Sequence, residues 1–174
     1  MTSRVILLAC LAASVIVGHA QEIHPDIHYV PTSNGVIDAM FTLAMPTAAD
    51  VLYDLGSGDG RNVIAAARRF GLTGVGVEID PALVKKANEN ARKAGVADKV
   101  RFIQADLFKT DLSPATIVTL YLSPSINIRL RGKLQSELHD GARIVSNRFD
   151  MGDWMPDAQV KTEGRRVYLW RIAK

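Results

Sequence analysis

Three observations in this 174-residue sequence predict an α/β domain: a mostly parallel sheet with helices on both faces, ending in an antiparallel hairpin. Short apolar runs alternate with segments whose apolar residues recur every three or four positions, the period of helices laid on a sheet. The run at Thr116–Leu122 is nearly continuous in apolar residues, as a strand covered on both faces has to be. An earlier apolar run passes directly into Gly56-Ser57-Gly58-Asp59-Gly60, a turn with glycine at alternate positions, and then into a helical pattern. The length suits one domain with a real core and is too short for two.

The elements follow in order. Thr32 or Ser33 caps a short helix with apolar positions at Val36, Ile37, Met40, Phe41 and Ala44. The first strand is Val51–Asp54, and the helix after Gly60 carries Val63, Ile64, Ala67 and Phe70 on one face and stops at Gly71. Strand two, Gly74–Glu78, meets Asp80-Pro81, an N-cap followed by proline at the first helical position. That helix runs through Leu83, Val84, Ala87, Ala91 and Ala94 to Gly95. Strand three is Val100–Ala105 and strand four Thr116–Leu122. A helix then repeats Ile126, Leu130, Leu134 and Leu138 and closes at Gly141. Strand five is Ala142–Ser146. Val160–Thr162 and Val167–Ile172 flank Glu163-Gly164 as a hairpin, with no helix between strand five and that hairpin.

The chain divides into residues 1–20, a lead-in and helix over 21–48, and the main domain over 49–174. In the first segment Arg4 precedes an apolar run from Val5 to Gly18, and Gly18-His19-Ala20 supplies small residues for cleavage after Ala20. This reads as a secretory signal peptide, with an uncleaved membrane anchor as the alternative. The expected location is therefore the periplasm, the exterior or a membrane face, and the cytoplasm if the start is misassigned. Cys10 is the single cysteine and would leave with the signal, so the mature chain would form no internal disulfide. His24 and His28 are four apart, but Pro25 stops a helix from presenting both, so no metal site is expected. A net charge of +3, without a like-charge run or an aromatic–basic stripe, gives no reason to expect nucleic acid.

The glycine turn carries the chemistry. A dinucleotide fingerprint would place a third glycine where Arg61 stands, and an acidic residue, Asp54, sits two positions before Gly56. The turn from Asp54 to Gly60, with Ser57 and Asp59 between its glycines, therefore suits a cationic ligand better than a pyrophosphate. Glu78 ends strand two 22 residues beyond Gly56, where a carboxylate can accept both hydroxyls of a ribose, with Ile79 beside it. Asp106 follows strand three and can accept from an adenine amino group while Leu107 and other apolar neighbours pack on the ring.

This arrangement resembles motif I of the S-adenosylmethionine (SAM)-dependent methyltransferases with a Rossmann-like fold. The strand order is likewise that of the seven-stranded methyltransferase sheet. Within that class, Tyr29-Val30-Pro31-Thr32, the block Tyr53 to Arg61, Val118-Thr-Leu-Tyr-Leu122 and Arg129-Leu-Arg131 resemble one small family. It contains the archaeal broad-specificity protein-lysine methyltransferases and the mitochondrial enzyme that methylates a lysine of the ATP synthase c-ring protein. The likeness spans roughly residues 28–150. It implies that SAM is the cofactor, that Tyr29 and Thr32 close over it, that Tyr121 lies near the transferred methyl, and that a protein lysine is the acceptor. The sequence departs from the family at Gly132, where proline is expected.

The acceptor end agrees by elimination. Tyr121-Leu-Ser-Pro-Ser125 stands where enzymes acting on base amines or glutamine amides carry Asn/Asp-Pro-Pro-Tyr. Metal-assisted O-methylation wants acids after strands four and five, and Asn147 and Asp150 read as ordinary loop residues. A lysine amine needs only desolvation and alignment. Trp154 either floors an acceptor pocket or packs the sheet edge. The rival expectations are a non-catalytic SAM- or adenosine-binding module, a methyltransferase of small molecules, and a nicotinamide-dependent oxidoreductase, which Arg61 disfavours.

Overall fold

The structure is a computed structural model and describes residues 29–174; the segment read as a signal peptide, His24 and His28 lie outside the described residues. Helix α1 spans Asn34–Ala44, β1 Val51–Leu55, α2 Arg61–Phe70, β2 Thr73–Glu78 and α3 Pro81–Lys93. Then come β3 Val100–Gln104, β4 Ile117–Leu120, α4 Pro124–Glu137, β5 Arg143–Asn147, β6 Ala158–Thr162 and β7 Arg165–Arg171. The seven strands form one sheet in the order β3-β2-β1-β4-β5-β7-β6, with β7 antiparallel to both of its neighbours and every other pair parallel.

Each helix starts at a side chain able to satisfy free N–H groups or at a glycine that turns the chain. Ser33, rather than Thr32, caps α1 and accepts from the Val36 N–H. Asp80 caps α3 ahead of Pro81, and Ser123 caps α4 ahead of Pro124. The Ser123 cap corrects the reach of β4. The chain leaves the sheet at Leu120 because Tyr121–Ser123 must turn into α4, although Tyr121 and Leu122 have strand-forming side chains. The fourth helix likewise stops at Glu137, with Leu138 extended. Gly141 serves the turn into β5 at a φ of 79°, rather than ending the helix.

Two apolar layers sandwich the sheet. On one face α1 covers β5, β6 and β7, while α2 and α3 cover β1, β2 and β3. Val36, Met40, Val63, Ala87 and Phe102 pack there. On the other face Ile126, Leu130 and Leu134 of α4 pack with Leu120, Ile144 and Trp170, and the connection after β3 adds Leu112 and Ala115. Leu130 and Leu134 are fully buried, each stabilising the fold by about 2 kcal/mol relative to exposure. Trp154 packs on Trp170 with ring centroids 5.9 Å apart, and its carbonyl accepts from the Trp170 indole N–H at 2.8 Å. Of its two expected roles, the sheet-edge one is therefore the one its contacts show.

At the opposite edge of the sheet from the glycine turn, Asp50 anchors the entry to β1. It accepts from the Thr47 N–H, Thr116 Oγ1 and the Arg143 guanidinium. Burial pushes its carboxyl up, but Thr116, Thr47 and Arg143 together outweigh that and hold it below the ordinary aspartate range. Arg143 also donates to the carbonyls of Ala44 and Met45, tying the end of α1 to the sheet.

Candidate functional site

The glycine turn joins β1 to α2 at the carboxyl edge of the sheet, where the strand order reverses between β1 and β4; open α/β sheets bind ligands at that position. Gly56, Gly58 and Gly60 all have positive φ, at 75°, 54° and 81°. At Gly58 a side chain is excluded twice, by its backbone and by the Tyr29 ring, which occupies the space a Cβ would take. Tyr29 thus rests across the turn. The N–H groups of Gly56 and Ser57 are tied to the Val77 carbonyl, and that of Gly58 to Glu78 Oε2 at 2.9 Å.

The three acids sit at the ends of three adjacent strands, as the sequence predicts, but in different environments. Glu78 is buried and organises the turn, its other carboxylate oxygen accepting from the N–H groups of Ile79 and Asp80. Asp106 is partly exposed, and its carboxylate accepts from the Phe108 N–H at 2.9 Å with Leu107 beside it. Asp54 lies below the turn. It is 3% exposed and accepts from Thr119 Oγ1 at 2.7 Å and Asn62 Nδ2 at 3.3 Å. Burial, reinforced by the charges of Glu78 and Asp59 and opposed by those two hydrogen bonds, pushes its pKa up to about 7. Both of its hydrogen bonds fall on one carboxylate oxygen, Oδ1.

Asp59 is occupied. Arg61 holds it with two side-chain hydrogen bonds, which outweigh burial and keep its carboxyl low. The same guanidinium donates to the Thr32 carbonyl at 3.0 Å, so Arg61 clamps the segment 29–33 to the glycine turn. Thr32 is buried. The clamp role of Arg61 depends on a partner 29 residues away and leaves no local mark in the sequence.

Tyr121 follows β4 and is half-buried. Its hydroxyl accepts from Arg165 Nη1 at 3.0 Å, and its ring stacks with Phe149, centroids 6.4 Å apart. Asn147 corrects the reading of a loop residue. It is the last residue of β5, fully buried, and neither amide atom has a hydrogen-bond partner. Asp150 does lie beyond the strand, with its carboxylate taken up by the Gly152 N–H. Among the described residues no group of three or more His, Cys, Asp or Glu side chains is arranged to hold a metal ion.

The arrangement fits SAM on its own terms. Three carboxylates at adjacent strand ends and a raised Asp54 pKa describe a site short of positive charge, and SAM is a cation. Sheet order and site together define a SAM-dependent methyltransferase.

The ANTKMT methyltransferase domain family matches residues 54–158, and the chain belongs to it. A protein-lysine N-methyltransferase of Saccharolobus islandicus is 37% identical over 86% of this chain and 96% of its own length. The adenine nucleotide translocase lysine N-methyltransferase of Mus musculus is 40% identical over 70% of this chain, which spans 53% of that protein. A crystal structure described as an RNA methyltransferase from Salinibacter ruber in complex with S-adenosyl-L-homocysteine is 58% identical, with a TM-score of 0.82, covering 83% of this chain and 95% of that one.

Proposed function

We propose that this enzyme transfers the methyl group of SAM to the ε-amine of a protein lysine. SAM supplies an electrophilic methyl whose carbon–sulfur electron pair returns to sulfur as the new carbon–nitrogen bond forms. In this reading Gly56, Ser57, Gly58 and Gly60 shape the cradle and Asp54 supplies negative potential beneath it. Glu78 takes the ribose hydroxyls, Asp106 the adenine amino group, and Ile79 and Leu107 flank the ring. Tyr29 and Thr32 close over the cofactor, and Asp59 holds Arg61 in its clamp.

The observation that carries the acceptor assignment is Tyr121, whose half-buried hydroxyl stands at the end of β4 with one lone pair still free to orient an amine N–H. Two relatives named as lysine N-methyltransferases support it. A second reading, transfer to RNA, is favoured by the 58% identical structure described as an RNA methyltransferase. Tritiated SAM and a lysate of the source organism separate them. Protein-bound label recovered as methyl-lysine supports the first reading and nuclease-sensitive label the second, while label confined to small molecules sinks both.

The location belongs to the same proposal. The apolar run after Arg4 and the small residues at Gly18 and Ala20 support export with cleavage. N-terminal sequencing of protein from fractionated cells is expected to begin at Gln21; a cytosolic chain retaining Met1 overturns this.

A further inference from the structure

Four side chains from three separate elements form one stack beside the acceptor end of the site. Arg148 lies over Phe149 with its guanidinium carbon 5.2 Å from the ring centroid, and Phe149 stacks on Tyr121. Arg165 follows, 5.7 Å from the Tyr121 ring centroid and hydrogen-bonded to its hydroxyl. Neither guanidinium has a carboxylate partner among the described residues.

Two further anomalies converge at the same corner. Arg148 holds a φ of 74°, a left-handed conformation that a non-glycine residue adopts at a cost. Asn147, one step beyond the Leu120–Ser146 pair and so level with Tyr121 in the β4–β5 register, is the fully buried amide with no hydrogen-bond partner. Buried unpaired amides are costly and rare.

The other charges on the surrounding elements are engaged or turned to solvent. Glu163 at the β6–β7 turn accepts from Ser33 Oγ, Asp150 from the Gly152 N–H, and Asp59 is paired with Arg61. Asp54 is enclosed beneath Thr119, and Arg166 is exposed. Glu163 and Asp150 are bound to neutral donors and keep their charge, but neither forms an ion pair with Arg165 or Arg148, so the two guanidiniums stand in the stack with no carboxylate in contact.

A lysine side chain arrives as an ammonium, which has no lone pair to attack with. A nearby positive charge favours its neutral form, as does removal of water. We propose that Arg165 and Arg148 keep the acceptor amine neutral at ordinary pH, replacing a general base by electrostatics. The free lone pair of Tyr121 then accepts one of its N–H groups and helps to aim the amine lone pair at the methyl. The displaced proton passes to bulk water before transfer. After transfer the methylated ammonium is again a cation beside two others, which favours its release. This inference rests on the lysine reading above.

The test is the pH–rate profile of tritiated methyl transfer into methyl-lysine, with nuclease-treated lysate of the source organism as acceptor, between pH 6 and 10. Arg165→Gln keeps a donor for Tyr121 but removes the charge; Arg165→Lys keeps the charge. The acid limb is expected to move up by about one pH unit in Arg165→Gln, a roughly tenfold loss at pH 7 that recovers towards pH 10. Arg165→Lys keeps the wild-type limb. Arg148→Gln, on an exposed side chain, is expected to shift the limb in the same direction and provides the measurement if Arg165→Gln fails to fold. Methyl-lysine formed by variants whose limbs coincide with the wild type overturns the inference and leaves the lysine reading standing. In a parallel reaction with untreated lysate, label found on RNA base amines, which are already neutral, in place of methyl-lysine overturns both.

Discussion

Asp54 carries a cost in stability that its proposed part in binding SAM accounts for. Its carboxyl is enclosed, and its pKa of about 7 lies well above the ordinary aspartate value of 3.8. An acid whose folded pKa is raised stabilises the fold most below its unfolded pKa, and that contribution is lost as pH rises through the folded value. Stability is therefore expected to decline between about pH 4 and pH 7 as the buried group is forced to ionise. Asn at this position can still accept from Thr119 and Asn62. Asp54→Asn should abolish the decline and make the protein more stable than wild type at pH 8, by on the order of 2–4 kcal/mol in urea unfolding. The same variant should bind SAM about tenfold more weakly by calorimetry, because the negative potential beneath the turn is gone. A variant less stable than wild type at pH 8, or one that binds SAM undiminished, contradicts this account.

At the level of helices and strands, α4 carries an avoidable weakness. Gly132 lies in its interior, exposed, and a Cβ added there meets nothing within 4 Å. Gly132→Ala should stabilise the protein by about 0.5–1 kcal/mol without changing activity, read as a rise in the urea midpoint at constant slope. Every helix and strand was legible from apolar periodicity and from its caps, because the sheet's two covered faces impose those patterns locally. The ends were less so. The β6–β7 hairpin extends over Ala158–Thr162 and Arg165–Arg171, beyond its apolar residues, since ladder pairing continues through polar positions such as Lys161–Arg166. The placement of the three acids was legible for the same local reason: Asp54 and Glu78 lie at the carboxyl ends of β1 and β2, and Asp106 lies just beyond β3. The acceptor half was not. Arg165 reaches Tyr121 across 44 residues, and Glu163 reaches Ser33 across 130, so both contacts exist only once the hairpin is docked on β5. Asn147 looked like a loop residue because a lone polar side chain at a strand end gives no sign of being enclosed.

Taken as a whole, the proposed site draws on two stretches of chain. The cradle comes from residues 54–108 and the acceptor corner from residues 121–165, and they meet where β1 and β4 lie side by side. The segment 29–33 bridges them. It is clamped to the cradle through Arg61 and to the hairpin turn through Ser33 and Glu163. One consequence of the layout concerns light. The protein has two tryptophans, Trp154 and Trp170, and they pack on each other where the connection after β5 folds back over β7. All of its indole emission therefore originates in a single corner, at the end of the sheet that the chain completes last. Fluorescence follows the seating of the closing hairpin, while circular dichroism follows the sheet and helices together, so the two signals coincide during denaturation only if the whole structure gives way at once.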